Sequence, residues 1–387
     1  MTIGWTSTPE LDDRLARYAD ELRERGAITT DAVRAAFATV PRHAFLRSFY
    51  FRADRHALKP GELPPSELLD IIYANNSLVT HDGRTPGQPM SSSSGPSVMA
   101  RMLEALRLRP GLRVLEIGAG TGYNAALIHA ITGAEVTAVE AGDAAATEAA
   151  VAIAELGLAE QIRIVHGDGY RGDPERGRWD RIVVTCGIAG IPEGWLTQLA
   201  EDGLIVAPIA HAGVHPILTV GRDTSTVVGQ IALWADFMPA TGGLRPSSLS
   251  AHDPENDIAT RPVHRLAGAT PMVGAEGYTD LTCYLAARDE RTTRAYVEDD
   301  SFDPVAGMTA LVQDGAAAWI QHTGDLVVAG EAEHTGPLQA RLRELADRWI
   351  EAGKPAATGW STVFAPHPDL AAPLLTPSRW RHSDLRT

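Results

Sequence analysis

Glu116, Gly118, Gly120 and Gly122 alternate along Val114-Leu115-Glu116-Ile117-Gly118-Ala119-Gly120-Thr121-Gly122-Tyr123, at the end of the apolar run Leu112 to Ile117. Ala125, Ala126, Leu127, Ile128 and Ile131 follow in a helix-like pattern. Strand, glycine turn and helix together make a cradle for a nucleotide-like ligand. Glycine admits backbone conformations closed to other residues and lets a ligand touch the main chain. The helix start presents free N–H groups. The spacing narrows the ligand further. A dinucleotide fingerprint is G-x-G-x-x-G; here the third glycine comes one place early and Tyr123 fills the slot. No Lys-Ser/Thr pair follows, so this is not a phosphate-gripping P-loop. Glu140 ends a second apolar strand, Glu135 to Val139, about 20 residues beyond the glycines, where such folds place a ribose-binding acid. The competing reading of Glu140 is a solvated charge at a strand end.

The elements that must position these groups follow from local pattern. Thr8-Pro9-Glu10 is a helix start, with Leu11, Leu15, Tyr18 and Leu22 on one face and Gly26 closing it. Thr30-Asp31 opens a second helix through Val33 and Phe37, and Pro41 stops it. Phe51 to Leu69 is Pro- and charge-rich and reads as an insertion; His81 to Met90 reads as a polar loop. Ser91 to Ser94 read locally as a flexible loop with an N-cap, and a helix is expected from Pro96. After Glu140 come a helix to about Leu156, a strand at Ile162 to Val165, a strand at Trp179 to Thr185, a helix from Ile191-Pro192 and a strand ending at Pro208. That alternation predicts an α/β fold with a doubly wound, largely parallel sheet. His215 to Val220 and Val227 to Ala232 read as paired strands.

Beyond these, Gly242 to Arg261 reads as a linker and Tyr278 to Ala287 as β-like. Ala316 to Gln321 and Leu326 to Ala329 form a hairpin around Gly324-Asp325. A helix is expected near Thr335 with Pro337 inside it, then a final strand at Trp360 to Phe364. The expected division is a domain over residues 1–242 and an α+β module over 243–387, without internal repeats.

The glycine stretch resembles the first motif of S-adenosylmethionine-dependent methyltransferases. Four further segments resemble one family of them, the protein L-isoaspartate O-methyltransferases: Val40-Pro41-Arg42-His43-Ala44-Phe45, Tyr73-Ala74-Asn75-Asn76-Ser77-Leu78, Ser94-Gly95-Pro96 with Ala100-Arg101-Met102, and His166-Gly167-Asp168-Gly169. The resemblance spans roughly Leu11 to Ala240, which leaves about a third of the chain beyond it. It implies a class I, Rossmann-like methyltransferase fold with N-terminal helices. It also implies S-adenosylmethionine as cofactor, held by Glu116, Gly118, Gly120, Gly122, Glu140, Asp168, Gly169 and Thr185. Asp168 would meet the adenine amino group; its competing reading is a turn residue between glycines. Ser94 would be the catalytic residue between cofactor and substrate, with Asn75 and Ser93 on the substrate. Two positions depart from the family pattern: Asn75 stands for an Asp and Gly95 for a Gln. Asn keeps an acceptor but adds donors and drops a charge. His43 reads as structural, and Cys186 as a small buried filler with no base beside it.

Methylation of a carboxylate requires little proton chemistry, since an aspartyl or isoaspartyl acid with a pKa of roughly 4 is already ionised at neutral pH. Positioning and exclusion of water carry such a reaction. The ester formed can be attacked by the next backbone N–H, which expels methanol and closes a succinimide. Repair enzymes do this to isoaspartate. A related branch does it to a normal aspartate in ribosomally made peptides such as lanthipeptides, lasso peptides and graspetides. Asn75 to Thr80, the Ser91 to Pro96 run and the C-terminal module resemble that branch, so a constrained precursor peptide is the expected partner. Isoaspartyl repair remains the alternative, and a non-catalytic scaffold on the same fold is a third reading.

The whole composition sets outer limits. The chain has 387 residues, 44% apolar and 21% charged, an ordinary globular balance. A formal charge of −15 disfavours nucleic acid as a partner, since that needs a basic surface. Two cysteines, Cys186 and Cys283, give neither a disulfide framework nor zinc spacing, and no metal is expected. No signal-like or membrane-spanning stretch stands out, so the expected setting is cytoplasmic, away from membranes.

Overall fold

The structure is a computed structural model, and it describes residues 8–85, 89–224, 226–246, 263–367 and 373–385. Its chain forms two compact units. The first comprises Met1–Cys186, Pro192–Ala207 and Met238–Leu244; the second comprises Gly187–Ile191, Pro208–Phe237 and Arg245–Thr387.

In the first unit, four parallel strands run in the order Ile162–His166, Val136–Glu140, Val114–Ile117 and Trp179–Val184, with Leu199–Pro208 parallel beyond the last. Numbered along the chain this is 3-2-1-4-5, so the order reverses beside Val114–Ile117. All four residues of that strand are buried, as expected for a parallel strand covered on both faces. The helix Tyr123–Thr132 that follows is buried almost all round. Pro9–Glu24 and Asp31–Phe37 begin as expected, with the Thr8 and Thr30 side chains accepting from the Leu11 and Val33 amides. Leu11, Leu15, Tyr18 and Leu22 are buried. A small antiparallel sheet orders Asp54–Ala57, Ser48–Phe51, Leu78–His81 and Ser91–Ser93. The serine run is therefore a strand where local pattern suggested a flexible loop; Leu78 opposite Ser93 is fully buried and fixes the register.

The second unit carries an antiparallel ribbon in the order Ile217–Asp223, Thr226–Leu233, Trp360–Pro366 and Leu374–His382. Pro208–Phe237 thus groups with the C-terminal part of the chain, because main-chain pairing of Val227 to Gln230 with Ser361 to Phe364 ties it there. The strand expected to be last is followed by Leu374–His382. A five-stranded antiparallel sheet runs Val263–Leu266, Leu326–Ala329, Ala316–Ile320, Thr309–Gln313 and Thr292–Arg294. Trp319 and Phe302 fill its core, and the Trp319 indole donates to Ala295 O at 2.9 Å.

The expected hairpin and the helix Ala332–Glu351 are present. Tyr278 to Ala287 is not β: it lies in the helix Gly274–Arg288. Leu281, Tyr284 and Leu285 are buried at helical spacing, and Thr282 Oγ1 bonds the carbonyl of Tyr278 one turn back. Of the stretch read as a linker from Gly242, Gly242–Leu244 is a 3-10 turn and residues 247–262 lie outside the described ones. Residues 86–88 of the polar loop before Met90 also lie outside them. No helix among the described residues is long and apolar enough to cross a membrane, and no group of metal-ligating side chains is found among them.

Candidate active site

A cavity in the first unit opens at the carboxyl ends of Val114–Ile117, Val136–Glu140 and Trp179–Val184. This is the topological switch point, where ligands bind in open α/β sheets. Gly118, Gly120 and Gly122 turn the chain there with φ of 94°, 53° and 82°. A Cβ on Gly118 would come within 2.5 Å of Thr185 Oγ1, so glycine is required on steric as well as conformational grounds. The amides of Gly118 and Ala119 donate to Val139 O at 2.8 and 3.1 Å.

Glu140 locks this loop. Its Oε2 accepts from the Gly120 amide and its Oε1 from the Gly142 amide, both at 2.9 Å. The solvated-charge reading is excluded, for the residue is buried. Glu116 is 0% exposed; its Oε1 accepts from Asn124 Nδ2 at 2.8 Å and its Oε2 has no protein partner. Burial pushes its pKa up to about 8; the Asn124 bond lowers it and the Glu140 charge raises it. An orphaned carboxylate oxygen on a cavity wall fits a ligand that brings donors or a positive charge.

Asp168 Oδ1 accepts from the Tyr170 amide at 2.9 Å and caps the turn Gly169–Arg171. A Cβ on Gly169 would strike Ile117 Cγ2 at 2.5 Å. Thr185 Oγ1 lies on the carbonyls of Ile117 and Gly118, so it braces the glycine loop. Cys186 is half-buried, and burial with the Glu140 charge pushes its thiol up to about 12, leaving it no nucleophile.

Ser91 to Ser94 also line the cavity. Among the described residues the Ser94 hydroxyl has no hydrogen-bond partner. Ser93 is buried and its Oγ accepts from Arg42 Nε at 3.1 Å. Asn75 is not brought to the cavity. It is exposed on a separate groove beside Arg14, Arg17 and Arg25, and its Oδ1 accepts from the Ser97 amide at 2.9 Å at the start of Pro96–Ala105. His43 bonds the Tyr73 hydroxyl at 2.8 Å, and burial pulls its pKa down to about 4, so it is a neutral packing residue.

Three contributors escape sequence reasoning. Trp195 is fully buried and donates to Gly169 O at 3.1 Å. Gln198 accepts from the Asp173 amide at 2.9 Å and donates to Arg171 O at 2.8 Å, holding the turn after Asp168. Arg42 binds the serine strand; its place inside a quoted motif was the one signal available for it. The segment Met238 to Thr241 and Leu244 also lines the cavity.

A Rossmann-like sheet with an acid-led glycine loop at its switch point defines the class, the S-adenosylmethionine-dependent methyltransferases of class I. Residues 15–245 match the family model described as protein-L-isoaspartate(D-aspartate) O-methyltransferase. The chain belongs to that family. It is 34% identical over 223 residues to a protein-L-isoaspartate O-methyltransferase of Gloeobacter violaceus, covering 57% of this chain and 95% of that one. It is 35% identical over 219 residues to one of Thermotoga maritima, covering 56% of this chain and 62% of that relative's length. A solved protein-L-isoaspartate O-methyltransferase structure matches with TM-score 0.54 at 24% identity, over 94% of this chain and 99% of the other. That likeness of fold runs past the 15–245 segment, so the C-terminal third is no peculiarity of this chain.

Proposed function

We propose that the protein methylates the free carboxylate of isoaspartyl residues in peptides or proteins, with S-adenosylmethionine as donor. One observation carries the reading: Ser94, whose hydroxyl has no partner among the described residues, lines the same cavity as Glu116, Glu140 and Asp168. Glu140, already set by two amides, would hold the ribose, and Asp168 the adenine amino group. Glu116 Oε2 would meet the cationic part of the cofactor. Gly118, Gly120, Gly122 and Gly169 allow the close approach, and Thr185 holds the loop in place. The bound cofactor supplies a methyl group made electrophilic by a sulfonium. Ser94 donates a hydrogen bond that aims one oxygen of the substrate carboxylate, and no base is needed at neutral pH.

The alternative is a normal aspartate in a constrained ribosomal peptide, with the ester closing to an aspartimide. Its supports weaken on inspection: Asn75 caps a helix, and the C-terminal third has a counterpart in the solved relative's fold. A single assay separates the two readings. Purified protein and cofactor are offered a generic isoaspartyl peptide and an aspartyl precursor peptide. Methyl ester on the first supports the repair-type reading; ester or succinimide on the second alone overturns it. Failure of the protein to bind S-adenosylhomocysteine would favour the scaffold.

A further inference from the structure

Arg42 is 0% exposed, yet no carboxylate pairs with it among the described residues. Its guanidinium reaches five acceptors from two stretches of chain. Nε donates to Ser93 Oγ at 3.1 Å and Nη1 to Ile72 O at 2.7 Å. Nη2 faces Asn76 O at 3.0 Å, Ser93 O at 3.1 Å and Ser94 O at 3.0 Å. Arginine stays charged in proteins, and taking a cation out of water without a counter-ion is costly. Carbonyl dipoles satisfy its N–H groups but leave its net charge standing. Three buried tyrosines, Tyr18, Tyr73 and Tyr123, feel that charge, and burial keeps all three protonated, so none supplies an anion. Glu140 is engaged with the Gly120 and Gly142 amides, and Glu116 with Asn124. Arg42 does not itself line the cavity; it is a buried cation without a carboxylate partner, bonded directly behind Ser93 and Ser94, which do line it, and its field favours an anionic acceptor there.

We propose that Arg42 is a positioning and specificity residue for the substrate: it fixes Ser94 through the Ser93 and Ser94 carbonyls, and its unpaired charge selects an acceptor that brings a carboxylate. This rests on the carboxyl-methylation reading above. Lysine would keep the charge but could not span the same fork of acceptors.

The test compares an isoaspartyl peptide with its analogue in which the free carboxylate is a carboxamide. Binding of both is measured by calorimetry with S-adenosylhomocysteine present. The wild type binds the acid about tenfold more tightly than the amide, the scale of one desolvated charge interaction. Arg42→Gln removes that preference, leaving amide affinity within about twofold, and raises KM more than it lowers kcat. Arg42→Lys keeps most of the preference while kcat falls, since the charge remains and the fork is lost. Equal affinity of the wild type for acid and amide overturns the proposal, as does an Arg42→Gln protein that weakens both peptides alike. Should Arg42→Gln fail to fold, loss of the preference in Arg42→Lys overturns it equally. A wild type that neither binds nor methylates the acid sinks the functional reading instead.

Discussion

The glycine wall and the serine wall of the cavity are held by different means. Between Ile117 and Gly142 the fixing bonds are short-range or run between adjacent strands: Gly118 and Ala119 to Val139, Gly120 and Gly142 to Glu140. Its acids, Glu116 and Glu140, are buried. The serine wall is the strand Ser91–Ser93 with Ser94, and it is joined by one guanidinium to Ile72 and Asn76. Its charge is positive, and its key hydroxyl is free. The glycine wall is tied by bonds within its own loop and adjacent strands; the serine wall is tied by its pairing with Leu78–His81 and by the Arg42 guanidinium.

Ser94→Ala is expected to give the largest effect that would break this division. Transfer should slow by about 100-fold, the order lost when a reacting group is misplaced, with S-adenosylhomocysteine affinity unchanged by calorimetry. A parallel loss of cofactor affinity would show that the two walls are not separate. Gly118→Ala should do the reverse. The positive φ and the Thr185 contact impose strain of about 2 kcal/mol, near 30-fold in cofactor affinity, measured by the same calorimetry.

Glu116 sharpens the electrostatic side of the contrast. Its carboxyl has a pKa of about 8 in the fold against 4.5 as a free group, because burial disfavours the charge. Between those values the folded chain keeps a proton that the unfolded chain has released. Stability therefore falls as pH rises through that window, and the loss is complete above about pH 8. From pH 7 to pH 9 the drop should be roughly 1.4 kcal/mol, tenfold in the unfolding constant. Glu116→Gln should flatten that slope in urea titrations at the two pH values. A persistent slope would place the titration elsewhere. The smallest effect is expected at Asn75→Asp: the carboxylate still accepts from the Ser97 amide, and KM for the isoaspartyl peptide should move by no more than about threefold, a few tenths of a kcal/mol at a helix start. A larger change would return Asn75 to the substrate site.

The legibility of the two walls follows the same contrast. Gly118, Gly120, Gly122 and Glu140 sit on one loop and the adjacent strand end, so their spacing along the chain announced the turn; Asp168 was singled out by the family resemblance. Asn75 was assigned to the substrate by the family pattern; its bond to the Ser97 amide, 22 residues further on, left no local signal. Trp195 and Gln198 carry no local pattern, and Arg42 none beyond its place in the quoted motif; an arginine in a sequence looks like a surface charge until its acceptors are seen. Tyr278 to Ala287 failed for a different reason. An apolar run buried on most sides shows neither period cleanly, and the neighbouring sheet and helices decided it.

By itself the sequence determined the alternating strands and helices, the switch-point glycine turn and the acids beside it, since each depends on a few adjacent residues and on backbone sterics. Only the tertiary structure decided that Ser94 lines the same cavity as that turn, that Asn75 lies outside the cavity, and that the Arg42 guanidinium bonds the Ser93 and Ser94 carbonyls. Those outcomes depend on which distant carbonyls and carboxylates meet once the chain has collapsed, and no spacing along the chain records that.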